Sequence, residues 1–469
     1  MNNDRIILGD RIFSYEDQKK FSKFSGDKNP IHLDILNQRK TITGECIVHG
    51  IHSVLWAIDL FNSKYRYIHE SYIITFRNKI SLNQKVYCVL DKINNKIIIK
   101  NIDEKKLVVI KYKGLLKLYY DKDSLPLDHK KKLSEPNEID DNILKSKLYI
   151  KSQYGGEIEY AKDLFPRLSK SIDINLIYEV SILSNIVGMQ IPGRNSLFAS
   201  CKIFFKHQKN IGPAFRVKSF HDRLKLVNLE YHGINLNAEM GAYLLKKSTS
   251  SKINNDFKNR LIDLSRFDGR TILIIGGSRG IGSFVAKVIG LLGARVTISY
   301  NVGLIEASNV CNDINRNTLV ENADHVKFNV LNDDYSDVFK NKYDDLFYFP
   351  TPKIISDASD TFSQDKYIKF KEIYCTYFEK IALEFIRRGG KQIFYPSSIY
   401  VEKNINGFDE YKLAKQDGEL ICKTLGSNYF VKIIVDRLDR VDTDQTLSVL
   451  PVPSLDPLEV AIDIAQRMN

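Results

Sequence analysis

The chain has 469 residues, of which 43% are hydrophobic and 27% are charged. This length suits two to four domains, and this composition excludes wholesale disorder and collagen-like repeats. Lys and Arg exceed Asp and Glu by 12 charges. Such a surplus favours an anionic partner. The charge alone does not decide whether this partner is nucleic acid, a membrane surface or a phosphorylated cofactor or carrier.

The cysteines and the first residues narrow the class of protein further. Six cysteines are far apart in the sequence, and no CxxC or Cys/His cluster occurs, so we expect neither a metal site nor a disulfide framework. The start lacks the apolar stretch of a signal peptide. No run of about 18 apolar residues exists, so we expect no membrane partner. The expected location is the cytoplasm.

Two polar stretches, 121–147 and 246–260, have the mixed charges and turn residues of surface connectors. They divide the chain into three blocks, at 1–125, 148–245 and 262–469.

The first two blocks share one plan. In the first, residues 15–24 and the apolar stretch 51–61 predict helices, and four Ile/Val/Tyr-rich runs between 71 and 118 predict strands. In the second, a predicted helix at 176–187 precedes strand-like runs between 196 and 245. Each block is therefore predicted to be an α+β fold with a long helix and an antiparallel sheet.

The third block alternates strands and helices. TILII and RVTISY are predicted strands, residues 367–390 form a long predicted helix, KQIFYPSS is a strand, and residues 409–426 are a helix again. Alternation of this kind indicates an α/β, Rossmann-like, doubly wound parallel sheet covered by helices on both faces.

The loop SGDKNPIH in the first block brings together a carboxylate, an amide and an imidazole, on Asp27, Asn29 and His32. Pro30 holds Asn29 away from helical conformation, so the loop can turn Asp27 and His32 toward one water molecule. Hydration of a polarised alkene needs two such titratable groups. The alternative is a plain Asx-turn with a surface histidine.

A glycine, Gly50, begins the apolar helix that follows this loop. Backbone N–H groups at the start of a buried helix point toward negative charge and can hold a thioester oxyanion.

The segments FSKFSGDKNPIHLD and GECIVHGIHS resemble the signature of MaoC-like (R)-specific enoyl-CoA hydratases. That family has a hotdog fold, in which an antiparallel sheet wraps a long helix. The resemblance implies that Asp27 and His32 are the catalytic acid/base pair, that Asn29 orients their loop, and that the Gly50 N–H donates to the thioester carbonyl. It also implies a double hotdog, whose first half carries the chemistry and whose second half completes the sheet and the acyl tunnel.

In the third block, GGSRGIG follows a predicted strand and precedes a predicted helix. Glycines let such a turn close tightly and let the backbone approach a pyrophosphate at the helix N-terminus. The candidate cofactor-binding residues are Gly276, Ser278, Arg279, Gly280, Ile281, Gly282, Tyr300 and Lys415.

The residues at the end of the second strand bear on the choice of cofactor. An acidic residue there would bind a ribose diol and favour NAD, but Tyr300 and Asn301 occupy these positions. Arg279 in the glycine loop suits the 2′-phosphate of NADP. We therefore expect NADP(H), with NAD as the alternative.

Tyr411 and Lys415 are four residues apart on a predicted helix and share one face. A lysine ammonium beside a phenol lowers the phenol pKa, so that the tyrosine can pass a proton. Ser398 ends the preceding strand, and its hydroxyl could bind a substrate carbonyl. By itself, this helical spacing is also typical of a solvated face.

The glycine loop, Ser398 and YKLAK, in this order, resemble a short-chain dehydrogenase/reductase (SDR). The resemblance implies that Tyr411 is the general acid/base, that Lys415 lowers its pKa and binds the nicotinamide ribose, and that Ser398 positions the carbonyl. The chain departs from the family pattern at several supporting positions, namely Ile275, 347–350, Asn329, Cys375 and 438–439, and the block is short at its C-terminal end.

Together the two resemblances predict a bifunctional (R)-3-hydroxyacyl thioester enzyme, with enoyl thioester hydratase/dehydratase and NADP(H)-dependent 3-ketoacyl reductase activities. Its substrate would be an acyl-CoA or an acyl-carrier-protein thioester. The sequence does not decide whether the chain forms a homodimer. One alternative is a hydratase with a degenerate SDR scaffold. Another is an SDR reductase whose hotdog domains only grip acyl chains. A basic nucleic-acid-binding protein is the remote alternative, because no basic stripe with interleaved aromatic residues occurs.

Overall fold

The computed structural model describes residues 4–115, 134–139, 141–146, 149–152, 155–205, 213–245, 252–262, 264–332, 334–354, 362–403, 405–448 and 452–468. Residues 121–133 of the first predicted connector and 246–251 of the second lie outside this part of the chain. Two compact units result, one of Met1–Lys247 with Ser448–Pro451, and one of Ser248–Leu447 with Val452–Asn469.

The first unit contains ten strands and eight α-helices among its described residues. In chain order they are β1 (Arg5–Ile12), α1 (Tyr15–Ser25), α2 (Pro30–Leu33), α3 (Ile35–Gln38), α4 (Gly50–Tyr65), β2 (Ser71–Phe76), β3 (Lys85–Asp91), β4 (Lys96–Asn101), β5 (Lys106–Lys113), α5 (Asp141–Lys145), β6 (Ile150–Lys151), α6 (Ala161–Leu164), α7 (Leu168–Ser171), α8 (Ile174–Asn185), β7 (Ser196–Phe205), β8 (Ala214–His221), β9 (Leu226–His232) and β10 (Leu236–Leu244).

The ten strands form one sheet in the order β1-β3-β4-β5-β2-β7-β10-β9-β8-β6. Its two halves repeat one order from the centre outward, and β2 joins β7 by antiparallel pairing from Ser71 opposite Phe204 to Thr75 opposite Ser200. Each half supplies one long apolar helix, α4 or α8, and both helices contribute to a single hydrophobic core. The first two predicted blocks therefore form one unit.

Local sequence signals explain how the helices beside the site begin and end. Ser14 and Asp17 form a capping box at the start of α1, and Gly26 ends that helix in the left-handed conformation with φ 72°. Helix α4 is apolar on nearly all sides and is buried along most of its length, as expected for a helix enclosed by a sheet. The chain after α8 continues as one π-turn, Ile186–Gln190.

The second unit contains six strands and seven α-helices among its described residues. They are α9 (Asn255–Asn259), β11 (Thr271–Ile275), α10 (Gly280–Leu291), β12 (Arg295–Tyr300), α11 (Leu304–Asn315), β13 (Ala323–Lys327), β14 (Asp345–Tyr348), α12 (Gln364–Lys371), α13 (Phe378–Arg387), β15 (Gln392–Ser398), α14 (Asp409–Tyr429), β16 (Lys432–Leu438) and α15 (Pro457–Met468).

All strand pairs of the second sheet are parallel, in the order β13-β12-β11-β14-β15-β16. Numbered within this unit, the order is 3-2-1-4-5-6, which is the doubly wound Rossmann arrangement. Hydrophobic clusters cover both faces of the sheet. The predicted Rossmann-like parallel sheet is therefore confirmed.

Several elements differ from the sequence-based expectation. Strand β1 lies at the sheet edge and was not predicted, because its residues are all exposed or half-buried and Gly9 and Asp10 interrupt its short apolar run. Helix α15 was not predicted either. The long helix at 367–390 is interrupted by a π-helical segment, Glu372–Tyr377, between α12 and α13. Among the described residues, none of the helices is both long and apolar enough to cross a membrane.

Candidate functional site

The loop between α1 and α2 is organised by hydrogen bonds of its own side chains. Asn29 caps α2, accepting from the Ile31 N–H at 3.1 Å, and Pro30 takes the first helical position. The Asp27 carboxylate accepts from the Asn29 N–H at 3.0 Å. These bonds hold Asp27 and His32 on the same side of the turn, as the sequence predicts.

The second half of the first unit also holds this loop. The Ser184 hydroxyl on α8 donates to the Asp27 carboxylate at 2.7 Å. The Asn29 amide donates to the carbonyls of Gly188 at 2.7 Å and Gly193 at 3.0 Å. Gly188 packs so closely that a Cβ there would lie 2.4 Å from Asp27 Oδ1. The candidate site is therefore built by both halves of the unit.

His32 is held in one tautomer. Its Nδ1 lies 2.8 Å from the Ile47 carbonyl, and because a carbonyl only accepts, Nδ1 carries the proton and Nε2 has a free lone pair. Burial raises the pKa of Asp27 and lowers the pKa of His32, while each group's charge partly offsets the other's shift. Burial therefore favours the uncharged form of both groups, which are a neutral imidazole and a protonated carboxyl group.

His49 adds a second imidazole beside the pair. The side-chain ligand atoms of Asp27, His32 and His49 all lie within 4.8 Å of one another. The rings of His32 and His49 are stacked, with centroids 3.7 Å apart and planes 24° apart. Imidazole lone pairs lie in the ring planes, so two stacked rings cannot both aim at one ion. We therefore treat this triad as an acid/base cluster and assign no metal to it.

A cavity of about 260 Å³ opens onto the acid/base pair. Asp27, Asn29, His32, Gly50 and Ser184 line it, and most of its remaining wall is apolar: Ile31, Ile42, Ile47, Val48, Phe76, Ile80, Val108, Val187, Leu197 and Phe198. Gly50 is the first residue of α4, where backbone N–H groups have no partner within the helix. The cavity thus combines two titratable groups, a helix N-terminus and an apolar wall.

The glycine turn of the second unit lies between β11 and α10. Gly276 has φ +78°, and a Cβ on Gly282 would lie 2.5 Å from the Gly276 carbonyl oxygen. The Ser299 hydroxyl and carbonyl on β12 accept from Gly276 N at 3.0 Å and Gly277 N at 3.2 Å. Only glycines allow a turn this tight, and it leads directly into the start of α10, where backbone N–H groups can bind a phosphate.

The remaining predicted cofactor residues are near this turn or at the next strand. Ser278 and Arg279 lead into α10, Gly280 and Ile281 are its first two residues, and Tyr300 ends β12. Arg279 pairs with the Asp444 carboxylate at 2.5 Å, so its guanidinium already has an anionic partner.

Ser398, Tyr411 and Lys415 meet at the end of β15. The Ser398 side chain is hydrogen-bonded to Tyr411, which lowers the pKa of the phenol, but burial outweighs this and raises the pKa of Tyr411 to about 12. The predicted lowering of the Tyr411 pKa by Lys415 is therefore not found.

The position of Lys415 explains this difference. Its ammonium donates to the Pro396 carbonyl at 2.6 Å and lies 3.8 Å from the centre of the Tyr374 ring. The Tyr411 ring is farther away, at 6.0 Å. Burial lowers the pKa of Lys415 to about 7, so the ammonium is only partly charged at neutral pH.

Some contacts were not predicted from the sequence. Ser184 lies near the end of α8 and Gly188 lies in the π-turn that follows, and neither was predicted to contribute to the site. Asp444 lies beyond the last predicted strand and shows no motif. No local signal marks these residues, because each acts on a partner more than 150 residues away.

No family model and no curated protein sequence matches the chain. Among solved structures, an SDR from Serratia marcescens is 15% identical with a TM-score of 0.37, covering 42% of this chain and 89% of that one. An alcohol dehydrogenase from the archaeon Thermococcus sibiricus, complexed with 5-hydroxy-NADP, is 17% identical with a TM-score of 0.38 over 42% and 89%. BdcA, in complex with NADPH, is 21% identical with a TM-score of 0.37 over 42% and 86%.

Proposed function

We propose that the first unit hydrates enoyl thioesters and dehydrates (R)-3-hydroxyacyl thioesters, and that it is a double hotdog. The observation that carries this proposal is the buried Asp27–His32 pair facing an apolar cavity beside the start of α4. The repeated strand order around α4 and α8 supports the double hotdog. The substrate is an acyl-CoA or an acyl-carrier-protein thioester.

The protonation states of the pair suit this reaction in the hydration direction. Neutral His32 Nε2 takes a proton from water while the water oxygen bonds to C3 and the C2–C3 π bond breaks. The protonated Asp27 carboxyl group delivers a proton to C2. The two groups lie within 4.8 Å of each other, so transfer of the new imidazolium proton back to Asp27 restores the starting state.

The negative charge that develops on the thioester oxygen needs a donor that is already oriented. The Gly50 N–H at the start of α4 supplies one, helped by the partial positive charge of that helix end. The apolar wall accommodates the acyl chain and excludes bulk water, which strengthens both interactions.

For the second unit we propose reduction of 3-ketoacyl thioesters with NADP(H), and the residues of the glycine turn fit a nucleotide phosphate. Gly282 packs so closely against the Gly276 carbonyl that a side chain on Gly282 would not fit. The N-terminus of α10 would then face the bound phosphate. NADP(H), when bound, supplies or accepts the hydride. Tyr411 then transfers the proton at the carbonyl oxygen, and Ser398 donates a hydrogen bond to that oxygen.

The two activities would act on the same (R)-3-hydroxyacyl thioester, so that one chain carries out consecutive steps at raised effective concentration. The excess of 12 positive charges favours attraction of phosphate-bearing ligands such as NADP, CoA or an acidic carrier protein.

Crotonyl-CoA tests the hydratase assignment. The wild-type chain should consume the enoyl absorbance, and Asp27→Asn should reduce the rate about 10²–10⁴-fold, the usual contribution of a general acid/base. Asp10→Asn is the matched control, because Asp10 is an exposed carboxylate on β1 and this variant should keep full activity. Wild-type protein that hydrates neither enoyl-CoA nor enoyl carrier protein would contradict the assignment.

A hydratase with a non-catalytic SDR domain is the second candidate, and one observation favours it. Lys415 donates to Pro396 and packs on Tyr374 rather than lying close to Tyr411. Acetoacetyl-CoA with NADPH, and then with NADH, separates the candidates. Reduction that disappears in Tyr411→Phe supports the bifunctional enzyme, whereas no reduction by wild-type protein supports the hydratase alone.

A further inference from the structure

The carboxylate of Asp444 lies beside the glycine turn, where the second unit is proposed to bind cofactor phosphates. Asp444 begins a short 3-10 turn, Asp444–Thr446, and is 8% exposed. Its Oδ2 accepts from Arg279 at 2.5 Å. Its Oδ1 has no hydrogen-bond partner among the described residues. A buried carboxylate oxygen without a hydrogen-bond partner destabilises the folded protein, so another interaction must offset this cost.

The free oxygen lies beside the start of α10. Arg279 is the residue that precedes the helix, and its side chain does not cap it. Gly280 begins the helix with φ +56°, and a Cβ built there would lie 3.8 Å from Asp444 Oδ1. The partial positive charge of a helix N-terminus stabilises a nearby anion. Asp444 therefore receives charge stabilisation from the helix end and from Arg279 at once.

A nucleotide phosphate would need the same two groups. Pyrophosphates bind at helix starts of this kind, and a guanidinium beside the glycine turn suits a 2′-phosphate. A phosphate placed near Asp444 would also face its negative charge in a partly buried setting, where screening by water is weak.

We propose that Asp444 is an internal competitor for the phosphate-binding groups of the glycine turn. In the free protein it holds Arg279 and neutralises the start of α10. Binding of a dinucleotide phosphate then requires Arg279 to exchange its carboxylate partner for a phosphate. This inference rests on the proposed nucleotide site. It adds one residue, Asp444, that lowers the affinity of that site for the dinucleotide.

Titration of the full-length chain with NADPH, followed by cofactor fluorescence, tests the proposal without relying on turnover. Asp444→Asn should lower the Kd at least about tenfold at low ionic strength, and added salt should shrink the difference. The gain should be larger for NADPH than for NADH, because the released Arg279 favours the 2′-phosphate. Glu321→Gln, an exposed site on the same unit, changes net charge equally and should leave the Kd unaltered.

The outcomes separate the two proposals. NADPH binding to wild-type protein with an unchanged or higher Kd in Asp444→Asn would overturn the competition and leave the cofactor assignment standing. Absence of binding to wild-type, Asp444→Asn and Arg279→Ala proteins alike would overturn both. If Asp444→Asn unfolds at the assay temperature, Asp444→Ser and Asp444→Ala provide the same comparison with smaller side chains.

Discussion

The hydroxyl of Ser184 donates a 2.7 Å hydrogen bond to the carboxylate of Asp27, across 157 positions of sequence. This bond joins α8 of the second half to the acid/base loop of the first. It favours the ionised form of Asp27 and so opposes the rise in pKa that burial causes. The second half of the unit therefore tunes the candidate site as well as completing its sheet.

Ser184→Ala should move the pH profile of hydration in one direction. We expect a bell-shaped profile for wild type, because His32 cannot accept a proton at low pH and Asp27 cannot donate one at high pH. Loss of the hydroxyl removes an interaction that lowers the Asp27 pKa, so the alkaline limb should shift to higher pH. The limbs belong to the coupled pair rather than to single residues.

The matched control for this variant is Ser181→Ala on the same helix, because the Ser181 hydroxyl donates to the Tyr178 carbonyl and not to the pair. Its profile should coincide with that of wild type. An alkaline limb that stays in place in Ser184→Ala would show that this hydroxyl does not act on Asp27.

Gly50→Ala should impair hydration by displacing the start of α4. A Cβ at this position would lie 2.8 Å from Phe76 Cε1, closer than two carbons can approach. We expect a decrease in kcat/KM of about 10²–10³-fold, the usual effect of losing one oxyanion donor. Adding Phe76→Leu relieves the contact and should restore part of the rate. A fully active Gly50→Ala enzyme would contradict the role of the Gly50 N–H.

Lys415 should make the thermal stability of the second unit depend on pH. Burial lowers its pKa from 10.5 to about 7, so between these values the unfolded chain binds more protons than the folded one. Stability therefore rises with pH across this interval. Lys415→Met should flatten that rise and raise Tm at pH 7, as measured by calorimetry at pH 7 and 9.

The control for the stability experiment is Lys412→Met, which removes a charge from the same helix at a half-buried position. It should retain the pH dependence of wild type. An identical slope in the Lys415 and Lys412 variants would mean that the buried ammonium does not titrate in this range.

The two activities should be separable by substitution. Asp27→Asn should strongly reduce hydration and leave NADPH-dependent ketoacyl reduction intact, because Asp27 and Tyr411 belong to different compact units. Tyr411→Phe should have the reverse effect. Initial rates on crotonyl-CoA and acetoacetyl-CoA for both variants provide the measurement, and loss of both activities in either variant would indicate one shared site.

The sequence by itself determined the features that depend on near neighbours. The turn at Asp27–His32, the glycine turn after TILII and the positions of most helices and strands follow from proline, glycine, capping residues and apolar spacing. These signals act between residues a few positions apart, so they do not depend on the tertiary fold. They predicted the α/β third block and placed Asp27 and His32 on one loop.

Only the tertiary structure decided which distant residues contact the candidate site residues and how deeply those residues are buried. Ser184 and Gly188 reach Asp27 because β2 pairs with β7 and brings α8 beside the loop. Asp444 reaches Arg279 because parallel strands end at one edge of the sheet. Burial then sets the pKa values of Tyr411 and Lys415, against the expectation from their spacing. Desolvation and long-range contacts depend on the whole packed unit, and no local pattern encodes them.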